Sequence, residues 1–188
     1  MGADQVEYLG YLVTAEGSCP LPKKVEAIIN YKMSDTIHEL RTFLGMINFY
    51  RRYLKNAEKT QAPLLKGAKK KDRRTVPWTK GIINNFEQCK SDLAEAAPLS
   101  FPKSGLPLSL WADVSDFASG PVLQQYIEES WKPIAFYSKK LNETQKAYST
   151  FDRELLGIYL SVKHYKHLLE GNDFIIYTDT SLFAFTEK

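Results

Sequence analysis

The sequence predicts an α+β fold in two pieces, a mostly helical first half and a second half with a mixed sheet. Three observations predict it. Apolar stripes at helical spacing dominate before residue 98, and three short strand-like runs follow one another after residue 105. A long amphipathic helix then separates those runs from a fourth strand, which is expected to lie parallel to one of the earlier three. The boundary falls within residues 98–105, giving segments 1–98 and 99–188.

Taken in order, VEYLGYLV (6–13) alternates apolar and polar residues and reads as a strand, followed by the turn-rich EGSCPLP. KKVEAIINY gives a short helix. The next helix is better marked: Thr36 and Glu39 fit a capping box, and Leu40, Phe43, Leu44, Ile47, Tyr50 and Leu54 form an apolar stripe. KGAKKKDRR (66–74) has no apolar period and reads as an exposed loop. A helix from about Thr79 presents Ile83, Phe86, Cys89, Lys90 and Leu93 inward, with Pro98 near its end. LPLSLWADV (106–114), GPVLQQY (120–126) and KPIAFYS (132–138) are the three strands. The long helix, roughly Thr144 to Leu169, carries Leu155, Ile158, Tyr159, Val162, Tyr165 and Leu169 on its expected buried side. NDFIIYTDT makes the fourth strand, ending in Asp179.

Composition supports a packed core and excludes a disordered tail: 44% of the 188 residues are hydrophobic and 13% aromatic. The net charge of +3 is unevenly spread. Up to Lys103 there are 17 basic against 11 acidic residues; from Leu106 onward there are 8 against 11. A basic half suits polyanions and an acidic half suits divalent metal. Cys19 and Cys89 lie far apart, which argues against a zinc site or disulfide scaffold and for reduced thiols. No leader pattern and no membrane-length apolar run is present, so an intracellular, soluble protein is expected.

One stretch carries chemistry. In LSLWADVSDF (108–117) an apolar strand ends in Asp113, where an unpartnered carboxylate would be costly. Glu154 lies in the first half of the long helix and Asp179 ends the fourth strand. If the helix packs over the sheet, all three carboxylates can converge at one end. Clustered like charges usually imply bound divalent cations, and paired Mg²⁺ ions serve in-line attack on a phosphodiester. Each acid also has a plainer reading, as turn chemistry, a solvated helix face or a helix cap.

The local motifs add a resemblance. WADVSDFASGPVLQQ resembles the TDAS-x-x-x-x-G-x-V-L-x-Q stretch of the ribonuclease H domain in Pol polyproteins of gypsy-type LTR retrotransposons. WKPIAFYSKKLNETQKAYSTFDRELLGIYLSVKHYKHLLEG is similar to that domain's third strand and helix, and FIIYTDTSLFAF to its TDHK-P-L strand end. VEYLGYLVTAEGSCPLPKKVEAI and ELRTFLGMINFYRRYLKNAEKTQAPLL resemble the palm-to-thumb junction and thumb of the preceding reverse transcriptase.

The resemblance implies a thumb-like segment followed by a ribonuclease H-like α/β domain. It implies Asp113, Glu154 and Asp179 as metal-binding catalytic carboxylates for Mg²⁺, with Mn²⁺ as a substitute, Asp113 bridging two ions. The implied substrate is the RNA strand of RNA–DNA hybrids, recognised by shape and 2′-hydroxyls. The implied partners are duplex nucleic acid and the remainder of a Pol polyprotein, in a cytoplasmic virus-like particle or the nucleus. The competing classes are a non-catalytic duplex-binding module and a host-adopted remnant.

The chain also departs from the family. It has no Asp-Asp pair, so the polymerase metal site is missing, and it ends at Lys188 before the family's fourth carboxylate. A C-terminally truncated domain of weak or absent catalysis is therefore expected. Pro121 stands where the family has Ala, suiting an edge or bulge. Val114 also replaces an Ala, and Thr180 and Ser181 replace a His-Lys pair.

Phosphate contacts are expected from the thumb-like Arg51 and Arg52 and from Lys69, Lys70, Lys71, Arg73 and Arg74 in the basic segment, where a solvated loop is the equal alternative. Phe49, Tyr50 and Tyr53 are expected to serve core packing. His164 and His167, one turn apart between lysines, read as a solvated basic face. Trp78, Trp111 and Trp131 read as core or interface anchors.

Overall fold

The computed structural model describes residues 3–33, 35–68 and 75–178, in two compact units of residues 1–101 and 102–188. The first unit opens on a hairpin. VEYLGYLV is two strands, β1 (Gln5–Tyr8) and β2 (Tyr11–Thr14), rather than one. Tyr8 pairs with Tyr11, and the two intervening residues, Leu9 and Gly10, both take positive φ, at 46° and 84°. That geometry matches the twist of the flanking strands and lets a continuous alternating run fold back on itself.

The segment read as a turn supplies β3 (Gly17–Pro20), and β4 (Leu99–Ser100) returns beside it, completing an antiparallel sheet in the order β1-β2-β3-β4. The first unit is therefore less purely helical than its stripes suggest. Gly17 is required at the β3–β4 pairing, because a methyl built on it would overlap the Leu99 carbonyl oxygen.

The helices are α1 (Pro22–Ile29), α2 (Ile37–Phe49), α3 (Ala57–Ala68) and α4 (Lys80–Ala94). The Thr36 side chain caps α2 by accepting from the Glu39 N–H at 3.3 Å. All six residues of the expected stripe are buried, although the helix stops at Phe49 and a 3₁₀ turn (Arg51–Tyr53) carries the chain to Leu54. α3 replaces the first part of the expected basic loop. Thr79 caps α4, and Phe86, Cys89 and Leu93 are buried as expected, with α4 packed on α3 and α1. Burial pushes the Cys89 thiol up to about 12, as suits an inert packing residue.

The second unit holds β5 (Leu108–Ala112), β7 (Val122–Ile127), β8 (Ser130–Phe136) and β10 (Phe174–Thr178) in the order β10-β5-β7-β8. β10 runs parallel to β5 and the other neighbours are antiparallel, so the sheet is mixed. A separate ribbon pairs β6 (Ala118–Ser119) with β9 (Lys139–Lys140). Pro121 lies just ahead of β7, where its carbonyl accepts from the Tyr137 N–H at 3.0 Å, and a register shift follows between Leu123 and Gln124.

The long helix is divided. α5 (Glu143–Lys146) carries a capping box of Asn142 and Gln145, and α6 (Thr150–Leu169) restarts after Ser149, whose side chain accepts from the Asp152 N–H. The phase of α6 also differs from expectation. Leu155 and Tyr159 are exposed, and the buried residues are Glu154, Gly157, Leu160, Ser161, Tyr165 and Leu169. Tyr165 and Leu169 pack on Leu108, Leu110, Leu123 and Ile134 of the sheet. The Tyr165 hydroxyl donates to the Ala135 carbonyl at 3.0 Å, which ties α6 to β8. Tyr165→Phe is expected to cost about 1 kcal/mol, the usual worth of one such bond, read as a lowered urea midpoint with an unchanged slope.

Candidate active site

β5 ends at Ala112, so Asp113 is the first residue past the strand, half-buried at the carboxyl end of the sheet's second strand. The chain then makes a close loop. The Gly120 N–H donates to the Asp113 carbonyl at 2.7 Å and the Ser115 N–H to the Ala118 carbonyl at 2.9 Å, while Val114 bridges to Ser119. These bonds fix the backbone that presents the Asp113 carboxylate.

Glu154 sits in the second turn of α6, and only 6% of it is exposed. The helix meets the Asp113 loop at two points beside it. The Arg153 guanidinium forms an ion pair with Asp116 at 2.6 Å. One turn further on, Gly157 lies so close to Val114 that a methyl on it would overlap the Val114 Cγ2 atom. Asp113 and Glu154 thus belong to segments in direct contact at their neighbouring residues. Asp179, the third expected carboxylate, lies outside the described residues. Among the described residues no cluster of three His, Cys, Asp or Glu side chains is positioned to hold a metal.

The donor set suits a hard divalent cation: carboxylate oxygens from a strand end and a buried helix position, with no thiol or imidazole among the expected ligands. A carboxylate as buried as Glu154 is stabilised in its charged form by a nearby cation, because desolvation otherwise disfavours the charge.

The basic residues divide. Arg51 is held at home, with an ion pair to Glu58 at 2.6 Å and a long hydrogen bond to Asn48. Arg52 is exposed and lies over the Tyr53 ring, 5.5 Å from its centroid. Lys69, Lys70, Lys71, Arg73 and Arg74 lie outside the described residues. Tyr50 and Tyr53 are buried, whereas Phe49 is half-exposed and stacks on Tyr11 at 5.1 Å. Core packing accounts for the first two and a surface aromatic cluster for the third.

His164 and His167 are exposed, and His164 also stacks on Tyr137 at 3.7 Å. Partial burial, and then the neighbouring His167, hold the His164 imidazole below its ordinary pKa. Trp111 is exposed on the sheet face and stacks on Tyr177 at 4.8 Å, so it is a surface anchor rather than a core residue. Trp78 packs edge-on against Phe86, and Trp131 against Tyr126.

Arg153, Asp116, Val114 and Gly157 join the site only in the structure. Gly157 carried a sequence signal of its own, since an isolated glycine inside a helical pattern costs about 1 kcal/mol against alanine and usually marks a close approach.

Comparison with known proteins shows the family and the fold. The family described as the RNase H-like domain found in reverse transcriptase matches residues 78–185. The retrovirus-related Pol polyprotein from transposon opus of Drosophila melanogaster is 36% identical over 185 residues, covering 93% of this chain and 18% of that protein. The transposon Tf2-3 polyprotein of Schizosaccharomyces pombe is 32% identical over 179 residues, covering 93% of this chain and 13% of that protein. The chain thus spans less than a fifth of the length of these curated relatives.

Among solved structures, the foamy viral protease-reverse transcriptase in complex with dsDNA matches with a TM-score of 0.81 at 21% identity, over 95% of this chain and 37% of that one. The same enzyme in complex with RNA/DNA hybrid gives a TM-score of 0.78 at 22% identity, over 94% of this chain and 24% of that one. At these identities the likeness is one of fold, and the mixed α/β architecture expected from the sequence is the one they share.

Proposed function

We propose that this chain, which belongs to the family of RNase H-like domains found in reverse transcriptase, hydrolyses the RNA strand of RNA–DNA hybrids through a divalent-cation site on Asp113, Glu154 and Asp179. The observation that carries the reading is the close seating of α6 on the loop after β5, which brings the buried Glu154 to the segment that presents Asp113. Mg²⁺ is the expected cation, with Mn²⁺ as its substitute. When bound, the ions supply an activated water and neutralise charge on the departing 3′ oxygen.

The chain's own groups do the rest. Asp113 and Glu154 provide the negative ends that bind cations, and the buried setting of Glu154 excludes competing water from one side. The exposed Arg52 and the basic residues Lys69, Lys70, Lys71, Arg73 and Arg74 supply phosphate contacts, which fix the duplex without reading its bases. Hybrid is distinguished from DNA by its shape and 2′-hydroxyls. The source we assign is a gypsy-type LTR retrotransposon Pol polyprotein, because the ordered motifs from VEYLGYLV to FIIYTDT follow that pattern along the chain.

Cleavage of an end-labelled RNA–DNA hybrid tests the reading. Slow cleavage that needs Mg²⁺ or Mn²⁺ is expected, lowered in Asp113→Asn by at least the roughly 10–100-fold that loss of an outer-shell partner costs. Salt-sensitive hybrid binding without cleavage, indifferent to Asp113→Asn, would instead make the chain a duplex-binding module.

A further inference from the structure

We propose that Val114 and Gly157 are a matched positioning pair that sets how closely the Glu154 turn of α6 approaches Asp113. The proposal rests on the metal-site reading above and adds to it the residues that fix the site's spacing.

The geometry is specific. The space a Gly157 side chain would need is filled by the Val114 Cγ2 atom, with the Ser119 hydroxyl 3.6 Å from the same point. Both partners are tied to their surroundings. Val114 is bridged to the fully buried Ser119, and the Asp113 carbonyl accepts from the Gly120 N–H at 2.7 Å. On the other side, the buried Ser161 hydroxyl donates to the Gly157 carbonyl at 2.5 Å.

The contact is also in register with the two carboxylates. Asp113 precedes Val114 in the chain, with Cα atoms about 3.8 Å apart. Glu154 precedes Gly157 by three residues, placing it on the same helical face with Cβ positions about 5–6 Å apart. Any change in the Val114–Gly157 spacing therefore moves Glu154 relative to Asp113. The Arg153–Asp116 ion pair is a second tether beside the same turn. It crosses a more exposed surface, with Asp116 70% exposed, so it steadies the approach without limiting it.

A set of substitution cycles on the full chain tests this. Asp113→Asn and Glu154→Gln are made singly and together in chelator, in three backgrounds: native, Gly157→Ala, and the swap Val114→Ala/Gly157→Ala. The readout is the urea midpoint. Like charges held close make the two substitutions non-additive, whereas separated charges give additive effects. Non-additivity is expected in the native chain and in the swap, and it should shrink in Gly157→Ala, where the new methyl drives helix and loop apart.

A merely structural role lowers the Gly157→Ala midpoint and restores it in the swap, yet leaves the non-additivity equal in all three backgrounds. That result overturns the proposal, as does additivity in the native chain. Should Gly157→Ala fail to fold, the swap decides: folded with non-additivity retained is expected, and unfolded overturns the pair.

Mn²⁺ titration separates this proposal from the reading beneath it. The native chain and the swap should bind alike, and Gly157→Ala about tenfold more weakly. No Mn²⁺ response in any background, with the coupling pattern intact, would remove the metal site and leave the positioning pair standing. Equal Mn²⁺ binding in all three backgrounds would overturn the pair and leave the metal site.

Discussion

Phe43→Ala is expected to destabilise the chain by about 3–5 kcal/mol, the range for an aromatic removed from a full core. Phe43 has no exposed surface, and its ring centroid lies 4.3 Å from that of Phe86 and 5.7 Å from that of Tyr31. It therefore links α2 to α4 and to the segment after α1. Truncation leaves a cavity lined by rings that are held from behind, since Trp78 braces Phe86 edge-on at 5.5 Å. Such a site collapses poorly, and poor collapse puts the loss in the upper part of the range. Urea unfolding followed by circular dichroism measures it, and a loss under about 1 kcal/mol would mean that the α2–α4 contact is loose.

Leu110→Ala is expected to cost about 3–4 kcal/mol for the same reason in the second unit. Leu110 is fully buried on β5, between β10 and β7, against Leu123, Ile134, Tyr165 and Leu169. This substitution has a second consequence that Phe43→Ala lacks. β5 carries the chain into Asp113, and α6 carries Glu154, and both pack on Leu110's cluster. Loosening that cluster should weaken divalent-cation binding together with stability. Phe43→Ala should lower stability and leave cation binding unchanged at temperatures where the chain stays folded.

These two residues also show what the sequence makes legible. Phe43 sits in a stripe with a capping box ahead of it, so helix, phase and burial all follow from spacing. Leu110 follows from alternation in a short apolar strand, and the parallel return of β10 follows from the helix between them. The hairpin of β1 and β2 had a signal that a single-strand reading passes over: Leu9 beside Tyr8 breaks the alternation, and Gly10 follows at the turn. The break between α5 and α6 was hidden, since Ala147, Tyr148 and Ser149 contain no glycine or proline.

The phase of α6 has a physical reason for escaping notice. Its buried face includes Glu154, Gly157 and Ser161, while Leu155 and Tyr159 face outward. Hydrophobicity ranks those positions the wrong way round. The glycine is there because helix and loop touch, and the buried serine bonds the glycine's carbonyl one turn back. The candidate acids were named from motif order, and Asp179 lies outside the described residues. The contacts that seat them, Val114 with Gly157 and Arg153 with Asp116, join residues about 40 apart and needed the fold.

If Asp113 and Glu154 share a divalent-cation site, cation binding stabilises the native chain through both carboxylates. Urea midpoints of the native chain, Asp113→Asn and Glu154→Gln are compared with and without Mg²⁺ or Mn²⁺ at matched ionic strength. At about ten times the dissociation constant, the native chain should gain about 1.4 kcal/mol and both variants much less. An equal gain in all three proteins, or none in the native chain, would contradict a cation site on these carboxylates.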